Sequence, residues 1–353
     1  MMSVNRTQGL PAQRPQLPTG VHVVTVVLGT WLMVGAFVDA WAHNNLAQLE
    51  TFFTPWHGLL YSGFAASAGW IGWQVWRHQP RGGWDRTRVP AGYGLGLAGA
   101  GLFLLGGLGD MTWHVLLGIE VGIDALYSPT HLMLFGGVFL VLTTVLRSAW
   151  WNGELGRDPG YRRLLPALCS ITLASAAVAF FFQYWSVQRT APHALARWSS
   201  PAGQDLAMQG LASILVTNLI LVGAVLYLSR RWIVPLGTAT TLYTTVGLML
   251  GLASQYAFPG ALAGLVASGL VADLVLAVVR PDPDGRGRTW LAGALVPAVT
   301  WTTYLAVVAV TSGVTWPAEL SSGVVVWAAL SGLALAVLMV PTRPAASHGP
   351  RPA

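Results

Sequence analysis

Residues 22–43 read HVVTVVLGTWLMVGAFVDAWAH, a run of 22 residues that stays apolar until Asp39 and His43 close it. A helix that crosses a bilayer needs about 20 mostly apolar residues, so this run predicts a spanning helix. It is preceded by a polar, Pro-rich segment with no clear cleavage site and carries an acid near its end, which predicts a retained helix rather than a signal peptide. Nine further runs of the same kind follow, at roughly 54–76, 92–115, 126–149, 164–187, 206–229, 233–255, 258–280, 289–313 and 319–341. The chain of 353 residues is 54% hydrophobic and 9% charged, whereas soluble domains carry about 25% charged residues. So few charges cannot solvate a globular surface, and lipid is the predicted solvent. The expected fold is an all-α polytopic membrane protein of about ten transmembrane helices, with a duplicated helical hairpin. The expected organisation is a cytoplasmic tail over 1–21, a four-helix membrane unit over 22–149, a six-helix unit over 150–341 and a disordered tail over 342–353.

Orientation follows from arginine, since all 19 basic residues are Arg. The connections after the even-numbered runs hold 13 of them, including Arg77, Arg81, Arg147, Arg230 and Arg280; the connections after the odd-numbered runs hold only Arg189 and Arg197. By the positive-inside rule both termini face the cytoplasm of a cell membrane protein. Many of the 17 Trp, among them Trp41, Trp56, Trp76, Trp113 and Trp151, fall at run ends, as in an interfacial aromatic belt. The basic residues do not gather with aromatics in a soluble domain, so nucleic acid is not a predicted partner. The lone Cys169 excludes an intramolecular disulfide and a CxxC metal site.

A motif recurs at the ends of the first four runs. The first run ends Asp39-Ala-Trp-Ala-His43 and the second opens Thr54-Pro55-Trp56-His57. The third ends Asp110-Met-Thr-Trp-His114 and the fourth opens Ser128-Pro129-Thr130-His131. An acid stands seven residues before the last His each time, Glu50 and then Asp124. This order predicts that one helical hairpin was copied. Asp and His four apart share a helix face, and Pro in the first turn of the next helix is tolerated. One carboxylate and two imidazoles from two helices then converge on the side of the bilayer opposite most of the Arg. Such a set can chelate copper, zinc or iron with positions left open. Glu50, Glu120 or Asp124 could add a ligand or orient a His. Polar helix caps near the interface are the plain alternative, but a charge at membrane depth costs at least about 2.5 kcal/mol, and the matched repetition favours ligands.

The segment from Asp110 to His131 resembles the metal-binding segment of one membrane-embedded subunit of the copper membrane monooxygenases, the methane and ammonia monooxygenases, and the resemblance extends over about residues 39–137. It implies that Asp110, His114 and His131 bind copper within the membrane, with Asp39, His43 and His57 as a second candidate set. It also implies oxygenase chemistry on a small apolar substrate delivered from the bilayer, beside other membrane subunits or further copies of the chain. The residues alone leave two other readings open: a transporter or metal-handling protein that passes a cation or proton along the same Asp/His pairs, and a structural membrane subunit that holds ligands without turnover.

Other polar residues are weaker candidates. Asp273, inside an apolar run, is a functional candidate because intramembrane carboxylates usually are, or it pairs with Arg280. His22 is expected at the interface. Gln183-Tyr184 and Gln255-Tyr256 end runs on the side of the motif and read either as interfacial aromatics, the simpler reading, or as further copies of the hairpin with its ligands lost. His193, Arg189, Arg197 and Asp205 fall in the longest outer connection, where a solvated loop is the simplest reading.

Overall fold

The computed structural model describes residues 14–46, 53–118, 123–282 and 285–340. Glu50 and Glu120 lie outside the described residues, as do the tails 1–13 and 341–353 and the side chain of Asp124. The described chain is helical, with short 3-10 turns and one isolated bridge between Asp282 and Gly285. The helices are α1 (Thr19–Asn45), α2 (Pro55–Trp76), α3 (Tyr93–Leu117), α4 (Ile123–Tyr127), α5 (Pro129–Leu142), α6 (Thr144–Trp151), α7 (Gly160–Phe181), α8 (Thr190–Leu195), α9 (Gly203–Ser229), α10 (Thr238–Ala253), α11 (Pro259–Val279), α12 (Arg286–Thr311) and α13 (Ala318–Met339).

Among the described residues eight rods are long and apolar enough to cross a membrane: α1, α3, α5 with α6, α7, α9, α11, α12 and α13. The expectation was ten. Helix α2 has the length, at 22 residues, but its Gly, Ser, Trp, His and Gln dilute its hydropathy. Helix α10 is apolar but has only 16 residues. Large apolar side chains face outward along these rods, with Val278 85%, Val310 89% and Leu338 81% exposed. A water-soluble surface of that character would be costly, and lipid accounts for it.

The chain forms two compact units. One comprises Met1–Glu154 with Pro166–Ala177, the other Leu155–Leu165 with Val178–Ala353. In the first, α1 packs on α2, α3 packs on α5, and α2 meets α3. The pairs pack closely because small residues let backbones approach, the usual device where apolar contact with lipid gives no net drive to associate. A Cβ at Gly35 would lie 2.7 Å from Leu60 Cα, and one at Gly106 2.9 Å from the Leu134 nitrogen. The rod of α5 and α6 breaks at Thr143. There the hydroxyls of Thr143 and Thr144 bond back to the carbonyls of Phe139 and Leu140, and Arg147 also donates to the Leu140 carbonyl.

In the second unit α9 to α13 surround buried Tyr243, Trp301 and Tyr304. Trp301 Nε1 donates to Asn218 Oδ1 at 2.9 Å, and Asn218 donates onward to the Ala328 carbonyl at 3.1 Å. Asp273 belongs to this internal scaffold. Its carboxylate accepts the N–H groups of Ala239 and Thr240, both at 2.9 Å, and the Thr240 hydroxyl at 2.6 Å. Helix α10 begins after Gly237 with no cap from its own chain neighbourhood, so a carboxylate from α11 satisfies its orphan amides. Arg280 lies 3.6 Å from Asp158 instead. His22 is buried, its Nδ1 3.1 Å from the Tyr93 hydroxyl, which also meets Thr25 at 2.9 Å.

Candidate metal centre

All six motif residues fall at one end of the first unit. Asp39 and His43 occupy the last turns of α1, and Asp110 and His114 those of α3. His57 and His131 stand in the first turns of α2 and α5. The local sequence explains these positions. Thr54 and Ser128 are N-caps whose hydroxyls accept the backbone N–H of His57 and His131, and Pro55 and Pro129 begin the helices. Capping therefore pins each second His about one turn into its helix, facing the Asp of the preceding one.

The first set is the tighter. Asp39 Oδ2 lies 3.8 Å from His43 Nε2 and 3.5 Å from His57 Nε2, and the two Nε2 atoms are 3.5 Å apart. One ligand atom from each of the three residues lies within 4.8 Å of the others. His57 is turned by Thr54, whose Oγ1 sits 3.2 Å from its Nδ1 and leaves Nε2 for the cluster. Asp39 Oδ1 is buried and has no hydrogen-bond partner among the described residues. A buried carboxylate oxygen without a donor is costly, and a cation would satisfy it.

The second set is centred on its carboxylate. Asp110 Oδ2 lies 3.5 Å from His114 Nε2, and Oδ1 lies 3.4 Å from His131 Nδ1 and accepts Thr130 Oγ1 at 3.3 Å. His131 presents the same Nδ1 to Ser128 Oγ at 2.8 Å, so one nitrogen serves both neighbours. The His114 and His131 rings are 6.4 Å apart, against 5.3 Å for His43 and His57. The motif at Asp110 carries the closer resemblance in sequence; the Asp39 set carries the more compact donor geometry.

The two sets share one electrostatic environment. Asp39 interacts with Asp110 and His114, and His43 with His114, His131 and Asp110. Tyr61 stands between them, one turn after His57. Its ring is 6.2 Å from the His57 ring and 6.1 Å from Phe103, and its hydroxyl would be 3.1 Å from a Cβ on Gly107. Sequence reading did not single out Tyr61, Thr54, Ser128 or Thr130. The Thr-Pro and Ser-Pro pairs before each His are a helix-start signature that could have marked the caps; nothing in the spacing marks Tyr61.

Away from this end no other group of ligating residues converges among the described residues. Tyr256 closes α10, with its hydroxyl on the Leu248 carbonyl at 3.1 Å. Arg189 lies over the Tyr184 ring at 5.1 Å, and His193 meets Phe258 edge-on at 4.6 Å.

Fold and site together define a multi-pass, all-helical membrane protein with an Asp/His group of metal-binding character. In comparisons with protein families, curated proteins and solved structures, the chain matches none.

Proposed function

We propose that this chain is a membrane metal-binding protein whose ion is held first by Asp39, His43 and His57, with Asp110, His114 and His131 as a neighbouring second set. The observation that carries the reading is the Asp39 cluster itself: three ligand atoms within 4.8 Å of one another and a buried carboxylate oxygen lacking a donor among the described residues. One carboxylate and two imidazoles suit copper, zinc or iron. Copper comes first because the Asp110 to His131 segment resembles the metal-binding membrane subunit of the copper membrane monooxygenases. On that reading a bound copper supplies oxygen activation. The chain's own residues hold it, with Thr54 and Ser128 setting the His rings and the apolar helices keeping water away from a small apolar substrate.

The two hairpins are read as copies of one unit, and matched packing supports this. Gly35 and Gly106 each stand four before the Asp and press on Leu60 and Leu134, each three after the second His. Gly63 and Gly137, each six after that His, press on Leu32 and Phe103, each seven before the Asp. The Arg distribution supports a reading in which this end of the protein faces the extracytoplasmic side of the cell membrane. Asp273, an intramembrane carboxylate outside the motif, is engaged at the start of α10 and adds no support to transport.

Metal analysis of protein purified from membranes tests the reading. Near-stoichiometric metal in the wild type and a large loss in His43→Ala and His57→Ala is the expected result. Metal near zero in the wild type after loading with copper, zinc and iron in turn overturns it. Copper-dependent oxidation of a small alkane or of ammonia by membranes containing the chain and any co-purifying subunits tests the oxygenase part separately.

A further inference from the structure

The connection between α7 and α9 reads in sequence as a solvated loop, but its middle is buried inside the second unit. Val187 is fully buried, Gln188 is 2% exposed, and Ala191, Ala194 and Leu195 are buried as well. The Tyr304 hydroxyl donates to the Val187 carbonyl at 2.7 Å, and Trp316 Nε1 donates to the Ala194 carbonyl at 2.9 Å. Gln188 reaches α10, where a Cβ at Gly247 would lie 3.3 Å from its Nε2. Tyr304 stands seven residues before the end of α12, and Gly247 six before the end of α10. At the helical rise per residue, both place Val187 and Gln188 about 10 Å below the helix ends. The segment therefore enters the bundle and returns. We propose that residues 183–195 form a movable plug over a site in the second unit that takes a small neutral solute able to donate and accept hydrogen bonds.

Three observations carry the assignment. The first is depth. Irregular backbone this far inside a spanning bundle persists only where protein covers it or where it lines a watered cavity. The second is unmet hydrogen bonding at the tip. Gln188 Nε2 and Thr244 Oγ1 are buried with no partner among the described residues. Thr244 stands one turn before Gly247, on the helix that Gln188 touches. Burying such groups unpaired is costly, so the closed plug gives up hydrogen bonds that water or a solute restores when it opens. Its fastenings are neutral bonds that water can replace, those of Tyr304 and Trp316 and the Thr315 N–H on the Leu195 carbonyl at 2.7 Å. The third is the chemistry beneath the tip. Ser268 donates to the Thr300 carbonyl at 2.7 Å, and the Thr300 hydroxyl lies 3.4 Å from that of Tyr243, all three residues being buried. Asp273 is the one buried charged residue of this unit among the described residues, and the start of α10 takes up its carboxylate. A neutral solute can exchange hydrogen bonds with hydroxyls and amides, whereas an ion would lose its hydration and meet no counter-charge. None of this rests on the metal centre.

The test uses the full-length protein in nanodiscs and cysteines introduced one at a time. Cys169→Ser removes the single native cysteine. Ser268→Cys then puts a fully buried reporter on α11, one turn deeper than Gly264, against which Tyr304 packs. Ser229→Cys, equally buried at the far end of α9, is the control. The probes are iodoacetamide, a small neutral amide, and iodoacetate, an anion of nearly the same size. Each rate is normalised to that of the exposed position in Ser199→Cys. Iodoacetamide should modify Ser268→Cys slowly, and iodoacetate more slowly still. Tyr304→Phe and Trp316→Phe each remove one bond that holds the plug. Each should raise the iodoacetamide rate at Ser268→Cys about five-fold, the change that loss of one buried hydrogen bond brings to an equilibrium, and leave Ser229→Cys unchanged. An unchanged rate at Ser268→Cys in both variants overturns the plug. An equal rise at Ser229→Cys overturns it in favour of general loosening of the fold. Equal normalised rates for the two probes overturn the neutral-solute assignment.

Discussion

The Nε2 atoms of His43 and His57 face each other at 3.5 Å across Asp39 Oδ2, although the two residues come from different helices and are 14 positions apart. Two neutral imidazoles in that arrangement offer at most one hydrogen bond between them, while a cation could use both lone pairs and the carboxylate at once. The hairpin brings them together because Pro55 starts α2 and Thr54 caps it, turning the His57 ring by its Nδ1.

The Thr54 hydroxyl therefore has two roles that substitution can separate. Thr54→Val removes the contact to His57 Nδ1 and the cap. Loss of an orienting partner weakens metal affinity by about 10–100-fold, and loss of the cap costs about 1 kcal/mol of stability. Thr54→Ser should restore both. Titration with copper and zinc, beside thermal unfolding of the metal-free protein, reads the two effects; unchanged affinity in Thr54→Val removes the orienting role.

The spanning helices were legible because lipid demands long apolar runs, and composition alone exposes them. Helix α11 was read at 258–280 and spans Pro259–Val279. The short α10 was read at 233–255 but spans only Thr238–Ala253, because Pro235 and Gly237, the latter at φ 94, hold its first residues out of the helix. The break at Thr143 was invisible, since it depends on hydroxyls and an arginine competing for the Leu140 carbonyl and not on hydropathy. At the site, the Asp and His positions were legible from the four-residue spacing. The ring orientations were not. His57 turns Nε2 and His131 turns Nδ1 to its carboxylate, and only three-dimensional packing around the caps decides that.

Asp273 provides a contrast with the motif carboxylates. It accepts three hydrogen bonds at the start of α10, so Asp273→Ala leaves buried donors unpaired, at about 1–3 kcal/mol. The expected outcome is a lower unfolding temperature with metal content unchanged. A folded Asp273→Ala protein that loses its metal would return Asp273 to the functional residues.

His193 lies in α8, outside the spanning helices. Partial burial, then Arg197 and Arg189, hold its pKa below the ordinary His value. The unfolded chain thus binds a proton more readily than the folded one, so the His193 contribution to stability is present near neutrality. It is lost as pH falls through the ordinary value towards the lower folded one. The ring signal of labelled protein should show a midpoint below that of free His, moving up in Arg197→Gln. A midpoint above the ordinary value contradicts the assigned cause.

Asp39→Asn should change stability in opposite directions with and without metal. In the metal-free protein the Asp39 side chain is half-buried, and its Oδ1 is fully buried and lacks a donor among the described residues. An amide carries no charge to desolvate, so the substitution should stabilise the metal-free protein by about 1–3 kcal/mol. With metal present the wild type gains by mass action, about 2.7 kcal/mol at a free metal concentration 100 times Kd. Asn, a poorer ligand, forfeits most of that gain. The unfolding temperatures of the two proteins should therefore cross as metal is added. Asp110→Asn should cross less clearly, because Asp110 Oδ1 already accepts the Thr130 hydroxyl and Asn would disturb that bond. A destabilised metal-free Asp39→Asn protein would show that His43 and His57 already satisfy the carboxylate, most simply by one of them being protonated, and a cation at Asp39 would then lose its main physical support.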